Sequence, residues 1–388
     1  MTKFFIFSTF MLCVWSTIAQ GFSTTAKTAL VIDNTTGEVL LSKDIERPIP
    51  PASMSKLMTL WMVFESLEEG KIELEDTFRV SRKAWKKGGS KMFLREGENV
   101  TIKNLIKGVI IQSGNDACIV LAEGLAGTEE NFAELMTIRA KEIGLNNSTF
   151  TNSTGWPDPE HKMSSKDLVI LANKIREKYP SYYKIFDDLE FTWDNISQKN
   201  RNPLLSMNLG ADGLKTGYTE EAGYGLIASA KQNKRRITFV ITGLKSVGQR
   251  AREAKGITTW AFKKFKLKTY FKKGSVILEA PVWRGEKERV KIFATNNVQI
   301  LLASSAKEDI PMHVVLKEPL VAPLKKGQKI NGHLVINTTS LTKKGEKKRQ
   351  LVFPIEIGEN LDKGGLTNKL ATNLHTLKSN IFSLLGLN

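Results

Sequence analysis

The chain has 388 residues and a net charge of +17, and it is 41% hydrophobic and 25% charged; that length suits about two domains and is ample for a packed core. Two cysteines, one inside an apolar N-terminal run, exclude a disulfide within the remaining chain, and four scattered histidines offer no metal cluster. The basic balance would fit nucleic acid, yet an exported chain rarely meets any; the pairs Lys263-Lys264, Lys272-Lys273, Lys325-Lys326 and Lys343-Lys344 are read as solvated faces with weak attraction for anionic lipid or polymer.

In chain order, Lys3 and the apolar stretch from Phe4 to Ile18, closed by Thr17-Ile18-Ala19, read as a signal peptide over residues 1–19. The stretch is short for a span and is interrupted by Ser8, Thr9, Ser16 and Thr17, so cleavage and export are expected. Ala29 to Asp33 and Glu38 to Leu41 predict a hairpin around the turn Asn34-Thr35-Thr36-Gly37. Pro50-Pro51 stops what precedes, and Leu57, Leu60, Trp61, Val63 and Phe64 predict a buried helix from Ser53 to about Leu67. Lys56 lies one turn above Ser53 on the same face. A serine hydroxyl is a poor nucleophile until a base takes its proton, and a desolvated lysine is such a base. Alone the pair means little, because Ser181/Lys184, Ser304/Lys307 and Ser340/Lys343 share the spacing, and a capping serine with a solvated lysine accounts for any one of them.

Residues 70–101 are polar and turn-rich. Leu105 to Gln112 predicts a buried helix ending at Ser113-Gly114-Asn115, and Asp116 to Gly127 the next, which sets Ser113 and Asn115 on a tight connection. Cys118 falls three residues after Asn115, and a bulky thiol reagent there is expected to displace that connection and slow catalysis. Further helices are expected over Glu129 to Ile143, Ser165 to Lys178 and Arg250 to Phe265. The irregular segment from Asn147 to Ser165 is long enough to be functional. Its His161 is read as ordering the loop, not as part of a serine triad, because Lys56 already supplies a base. Strands are expected at Glu190–Trp193, Asp212–Thr219, Gly223–Ala230 and Arg236–Thr242, the last two with weak alternation that implies cover on both faces. Helices packed on an antiparallel sheet follow. From about Thr269, short strands such as Val290–Phe293, Val298–Leu302 and His333–Ile336 suggest a small all-β sandwich without a catalytic cluster.

Ser53-x-x-Lys56, Ser113-x-Asn115 and Lys215-Thr216-Gly217 occur in that order, which is the motif set of penicillin-interacting serine enzymes. With Pro51-Ala52-Ser53-Met54-Ser55-Lys56, Ser113 to Cys118, Asn200-Arg201-Asn202, Asp212 to Thr219, Ala222-Gly223-Tyr224 and Pro319 to Gln328, the chain resembles the D-alanyl-D-alanine carboxypeptidases among low-molecular-mass penicillin-binding proteins of type 5. The resemblance implies an α/β (α+β) transpeptidase/β-lactamase-like catalytic domain over 20–266, with an antiparallel sheet and a helical subdomain. An all-β domain over 267–360 and a C-terminal amphipathic helix over 361–388 complete the organisation.

The resemblance also implies roles. Ser53 would be the acylated nucleophile and Lys56 its base. Ser113 and Asn115 would relay protons and hold the peptide. Lys215 would help keep Lys56 neutral, and Thr216 and Arg201 would face the terminal carboxylate. Gly217 and Tyr218 would line the substrate, the amides of Ser53 and Tyr218 forming an oxyanion hole. Many relatives carry histidine where this chain has Tyr218, so only the amide role carries over. The implied substrate is the peptidoglycan stem peptide, with β-lactams as covalent inhibitors and no cofactor or metal. Rival activities are a DD-endopeptidase acting on cross-links and a β-lactamase on the same fold; for the latter no glutamate stands in a matching loop motif. An idle wall-binding protein is opposed by intact Ser53, Lys56 and Lys215. After Gly364-Gly365, Leu366, Leu370, Leu374, Leu377, Ile381, Leu384 and Leu385 fall mostly three and four apart, with Lys369 and Lys378 nearby. That helix is expected to lie on the periplasmic face of the cytoplasmic membrane, being too polar to span it.

Overall fold

The computed structural model describes residues 22–365 except 307, 343 and 344. The expected signal peptide and the helical leucine pattern from Leu366 onward lie outside the described residues. Residues 22–270 with 299–306 form one compact body, and residues 271–298 with the described residues after 307 form another.

The first body starts with β1 (Thr28–Asp33) and β2 (Glu38–Lys43), the expected hairpin. A 3-10 turn over Ala52–Ser55 leads into α1 (Lys56–Glu68). The polar stretch that follows is more ordered than its composition suggests: β3 (Thr77–Arg79) pairs with β4 (Asn99–Thr101), and α2 (Arg82–Lys86) lies between them. Then come α3 (Ile102–Lys107), a π-helical turn over Gly108–Gln112, α4 (Asn115–Ala126), α5 (Glu129–Glu142), α6 (Ser165–Lys178) and the short α7 (Pro180–Tyr183). A hairpin of β5 (Glu190–Trp193) and β6 (Ile196–Lys199) precedes three long strands, β7 (Ala211–Thr219), β8 (Gly223–Gln232) and β9 (Arg235–Leu244). The helix α8 (Val247–Lys263) starts three residues before Arg250, because the Ser246 hydroxyl caps it by accepting from the Gln249 amide at 3.1 Å.

The main sheet is antiparallel in the order β2-β1-β9-β8-β7. Both faces are covered, and the pleat shows how. On β1, Ala29 and Val31 join one core while Leu30 joins the other; on β9, Phe239 and Ile241 join the first and Val240 the second. The smaller core is closed by Ala254, Ile257 and Ala261 of α8. The larger is helical and centred on α1, whose Leu57, Met58, Leu60, Val63 and Phe64 are wholly buried. Cutting a leucine there to alanine costs about 2–5 kcal/mol. β7 is the sheet's outer strand, with no strand among the described residues paired to its far edge, the kind of edge that can take a further extended chain.

One buried ion pair ties this body together. Asp33, at the end of β1, accepts from Arg235 Nε at 3.0 Å and Nη2 at 2.9 Å. Arg235 also donates to the carbonyls of Phe265 at 2.7 Å and Ala261 at 3.1 Å, so the guanidinium is well satisfied.

In this same body β10 (Phe265–Phe271) pairs with β13 (Val298–Ala303). The other body holds β11 (Val276–Trp283), β12 (Arg289–Ala294), β14 (Met312–Leu316), β15 (Leu320–Val321), β16 (Lys329–Thr342) and β17 (Gly345–Ile357), in one sheet ordered β14-β16-β17-β12-β11-β15. On β12, buried Val290, Ile292 and Ala294 alternate with Arg289, Lys291 and Phe293, the period-two signature of a sheet with one buried face.

Candidate active site

Ser53 lies in the 3-10 turn just before α1, half-buried, with its neighbour Ala52 at φ +50. A left-handed alanine costs about 1–2 kcal/mol, so close packing has to hold this turn. Two glycines allow that packing. A Cβ on Gly217 of β7 would stand 2.9 Å from the Pro51 carbonyl oxygen, and one on Gly155 would stand 2.0 Å from that of Ala52. Gly155 also has φ +76, which disfavours any side chain.

Lys56 is wholly buried one turn on. Its Nζ lies 2.9 Å from Ser53 Oγ, 2.8 Å from Asn115 Oδ1 and 2.5 Å from the Thr154 carbonyl oxygen. Burial pulls its pKa from 10.5 to about 8, with the Arg201 and Lys87 charges adding to the fall and Cys118 and Asp116 opposing it. As an ammonium Lys56 can donate to all three oxygens; once neutral, it keeps two N–H donors for the carbonyl-type oxygens and turns its lone pair to the serine hydroxyl.

Ser113 ends the π-helical turn in the left-handed conformation, φ 61 and ψ 32. The expected helix from Leu105 to Gln112 is thus two pieces, and the wide π turn re-aims the backbone at the site. Lys215 Nζ donates to Ser113 Oγ at 2.8 Å. Burial, then the Lys56 and Arg201 charges, drives Lys215 well below the usual lysine range. Burial is the largest cause at both lysines, and the Lys56 charge adds to the fall at Lys215.

Hydrogen bonds join Ser53, Lys56 and Asn115 in one group and Ser113 and Lys215 in another, and Ser53 and Ser113 face one cleft. That cleft, of about 230 Å³, is lined by Ser53, Ser113, Arg201, Thr216, Gly217 and Tyr218, so every expected site residue is in or beside it. Ser90, Tyr224, Val247 and Arg250 also line it, and the sequence reading did not single them out for the site. Tyr218 is half exposed and stacks on Tyr224 with ring centres 4.1 Å apart. The Arg250 guanidinium lies 5.8 Å from the centre of the Tyr224 ring, and its buried Nε has no partner among the described residues. Arg201 donates to Ser90 Oγ at 2.6 Å. Among the described residues no carboxylate pairs with Lys56, Lys215, Arg201 or Arg250, and the two guanidiniums that line the cleft prepare it for an anion.

Two supports were illegible in the sequence. Asp116 accepts the amides of Met92, Phe93 and Leu94 at 2.9 to 3.2 Å, which fixes the loop carrying Ser90. The Thr154 carbonyl sits in the irregular segment flagged by its length, yet no side chain marks a carbonyl as a partner for Lys56. In that same segment His161 accepts the Thr151 amide on Nδ1 at 3.2 Å and packs edge-on against Phe150, as a loop-ordering residue does. Cys118 is fully buried, and burial pushes its thiol up to about 12. The expectation that a bulky reagent would act through it is therefore corrected: the reagent has no route to the sulfur and little thiolate to meet.

Comparison with known proteins follows this geometry. Residues 16–246 match the family described as D-alanyl-D-alanine carboxypeptidase, and residues 265–354 match penicillin-binding protein 5, C-terminal domain. The chain is 36% identical over 356 residues to the D-alanyl-D-alanine carboxypeptidase DacC of Escherichia coli, covering 90% of this chain and 87% of that one. Penicillin-binding protein 5 from Haemophilus influenzae superposes with a TM-score of 0.73 at 32% identity, covering 88% of this chain and 98% of that one. Penicillin-binding protein D2 from Listeria monocytogenes, solved in its ampicillin-bound form, gives 0.57 at 25% identity over 62% of this chain and 99% of its own. The chain belongs to the D-alanyl-D-alanine carboxypeptidase family.

Proposed function

We propose that the chain is a serine-type D-Ala-D-Ala carboxypeptidase that removes the terminal D-alanine from peptidoglycan stem pentapeptides and is acylated by β-lactams along the same path. The observation that carries this reading is Lys56: a wholly buried amine with no carboxylate partner among the described residues, 2.9 Å from Ser53 Oγ. Neutral Lys56 takes the Ser53 proton as Oγ attacks the carbonyl between the two D-alanines. The amides of Ser53 and Tyr218 receive the oxyanion, Tyr218 lying on the sheet's free edge. Ser113, held by Lys215, relays to the leaving D-alanine amine the proton that Lys56 took, so the C–N bond breaks and Lys56 is neutral again. Thr216, Arg201 and Arg250 hold the terminal carboxylate, and Asn115 and Gly217 hold the acyl part. Water then attacks the ester, and Lys56 takes its proton and returns it to Ser53 Oγ as the C–Oγ bond breaks.

A fluorescent penicillin and a D-Ala-D-Ala peptide test this together. The expected result is a stable label lost in Ser53→Ala, and release of one D-alanine per peptide. Absence of label overturns the reading. Rapid loss of label without D-alanine release points to a β-lactamase, and cleavage of cross-linked dimers alone to an endopeptidase.

The same reading places the protein, after export, on the periplasmic face of the cytoplasmic membrane. Support comes from the leader-like residues 1–19 and from the leucine pattern after Gly365. Among the described residues no helix is long and apolar enough to cross a membrane. A chain ending near Asp362 should stay in the supernatant and keep its penicillin label, while the full chain pellets with vesicles; equal partition of the two refutes the anchor.

A further inference from the structure

Lys87, just past α2, has no carboxylate within ion-pair distance among the described residues. Its Nζ lies 4.3 Å from the centre of the Trp156 ring, and no hydrogen bond or ion pair to it is present among the described residues. One turn away Lys83 is fully engaged, 3.0 Å from Glu129 and 2.7 Å from Glu130, so Glu129 reaches Lys87 only through space and not as an ion pair. Trp156 keeps 41% of its surface exposed, although it could be packed away. An exposed ring beneath a half-buried, unpaired cation is an incomplete arrangement, because a cation holds a carboxylate more strongly than it holds a ring.

The pair stands beside the catalytic residues. Gly88 O accepts from Asn115 Nδ2 at 2.8 Å, and Asn115 Oδ1 accepts from Lys56. A Cβ on Gly89 would stand 2.9 Å from Asn115 Nδ2 and 3.0 Å from the Trp156 ring, so Asn115, Gly89 and Trp156 are in direct succession. Thr216 and Arg250 line the cleft itself, whereas Trp156 is reached from it through Asn115 and Gly89. The charges agree with that order: Lys56 feels Arg201 and Lys87, whereas Lys215 feels Arg201 and Arg250. A peptide with its terminal carboxylate at the Arg250 end and its scissile carbonyl at Ser53 runs its acyl part past Asn115 toward Trp156.

We infer that Lys87 and Trp156 form an acyl-side subsite for a residue upstream of the scissile bond whose side chain ends in a carboxylate. The Trp156 ring packs the methylenes of that side chain and the ammonium takes its charge. The inference rests on the carboxypeptidase reading for the direction of the peptide.

Two peptides test it. Both end in D-Ala-D-Ala, and the residue before that pair bears either a side-chain carboxylate or the matching carboxamide. Binding is measured by calorimetry to the full chain carrying Ser53→Ala, which cannot be acylated. The carboxylate peptide should bind about tenfold more tightly, the difference made by one partly exposed charged contact. Adding Lys87→Glu should reverse the order, a result that misfolding cannot produce. Equal affinities in the parent, or a preference that survives Lys87→Glu, overturns the subsite. D-alanine release by the Ser53-intact chain is scored separately. If neither peptide is hydrolysed but the charge preference is present and reverses, the carboxypeptidase reading falls and the subsite stands.

Discussion

Arg235 and Lys56 are both cations in the interior of the same body, and their surroundings are opposite. Arg235 meets the Asp33 carboxylate twice and two backbone carbonyls, so every contact favours the charged form. Lys56 meets a hydroxyl, an amide oxygen and a carbonyl, and no carboxylate among the described residues. Desolvation acts on each, but only Lys56 can answer it by giving up a proton. A buried pair makes a seam between β1, β9 and α8. A buried cation left without its counter-charge makes a base. The difference locates function in this chain more sharply than the bare count of buried polar groups.

The comparison breaks most visibly if the base loses its ability to be neutral. Lys56→Arg should reduce acylation by penicillin on the order of 10²–10⁴-fold, since arginine keeps its proton. Circular dichroism should show the fold retained, and labelling near the parent rate would refute the assignment.

The seam gives the converse test. Asp33→Ala strands the Arg235 charge and should cost roughly 3–5 kcal/mol of stability, read from urea melts. Acylation per folded molecule should be unchanged, because Asp33 touches nothing in the cleft. A loss well under 1 kcal/mol would show that the seam is not what holds β1 to α8.

A third buried group sharpens the rule. Burial pushes His161 down to about 4 from an unfolded value near 6.5, with Lys56 and Lys162 adding to the fall and Asp158 opposing it. Between those values the unfolded chain binds more protons, so stability falls as pH falls from about 6.5 to about 4. The full loss from this group is roughly 3 kcal/mol. Carboxylates add their own acid loss, so the measure is the difference in slope between the parent and His161→Gln; identical slopes would contradict the neutral, buried histidine.

The smallest effect expected is at Cys118. A bulky maleimide should leave the folded chain unlabelled and its penicillin acylation unchanged, and should label fully in denaturant. Fast labelling of the native chain would mean that α4 opens where it is packed shut.

The sequence made the chemistry legible and left its supports hidden, for a physical reason. Ser53, Lys56, Ser113, Asn115 and Lys215 act through side chains, so their identities and order are visible as residue types. The Thr154 carbonyl and the Gly88 carbonyl act through backbone atoms that every residue has, and only folding selects them. Arg250 reaches the cleft from α8, distant in sequence from any motif, and Tyr224, though part of the Ala222-Gly223-Tyr224 match, carries no residue type that marks it as a cleft wall. Long periodic elements were legible: α1, α5 and α6 run nearly as their apolar spacing predicts. The break of the Leu105–Gln112 helix into α3 and a π turn was not, because a mostly apolar run fits either geometry. The short α2, β3 and β4 were read as loop, since their few residues owe their shape to long-range packing and not to local preference.

The central claim is that Lys56 is the base because burial brings its pKa to about 8. The most direct measurement is the second-order rate of acylation by a β-lactam without a titrating side chain, from pH 6 to pH 9.5. Only the neutral amine accepts the Ser53 proton, so the rate should climb about tenfold per pH unit below the apparent pKa and level off above about 8, at a value shared between coupled Lys56 and Lys215. A rate that is flat across that range, or that falls as Lys56 loses its proton, would contradict the account.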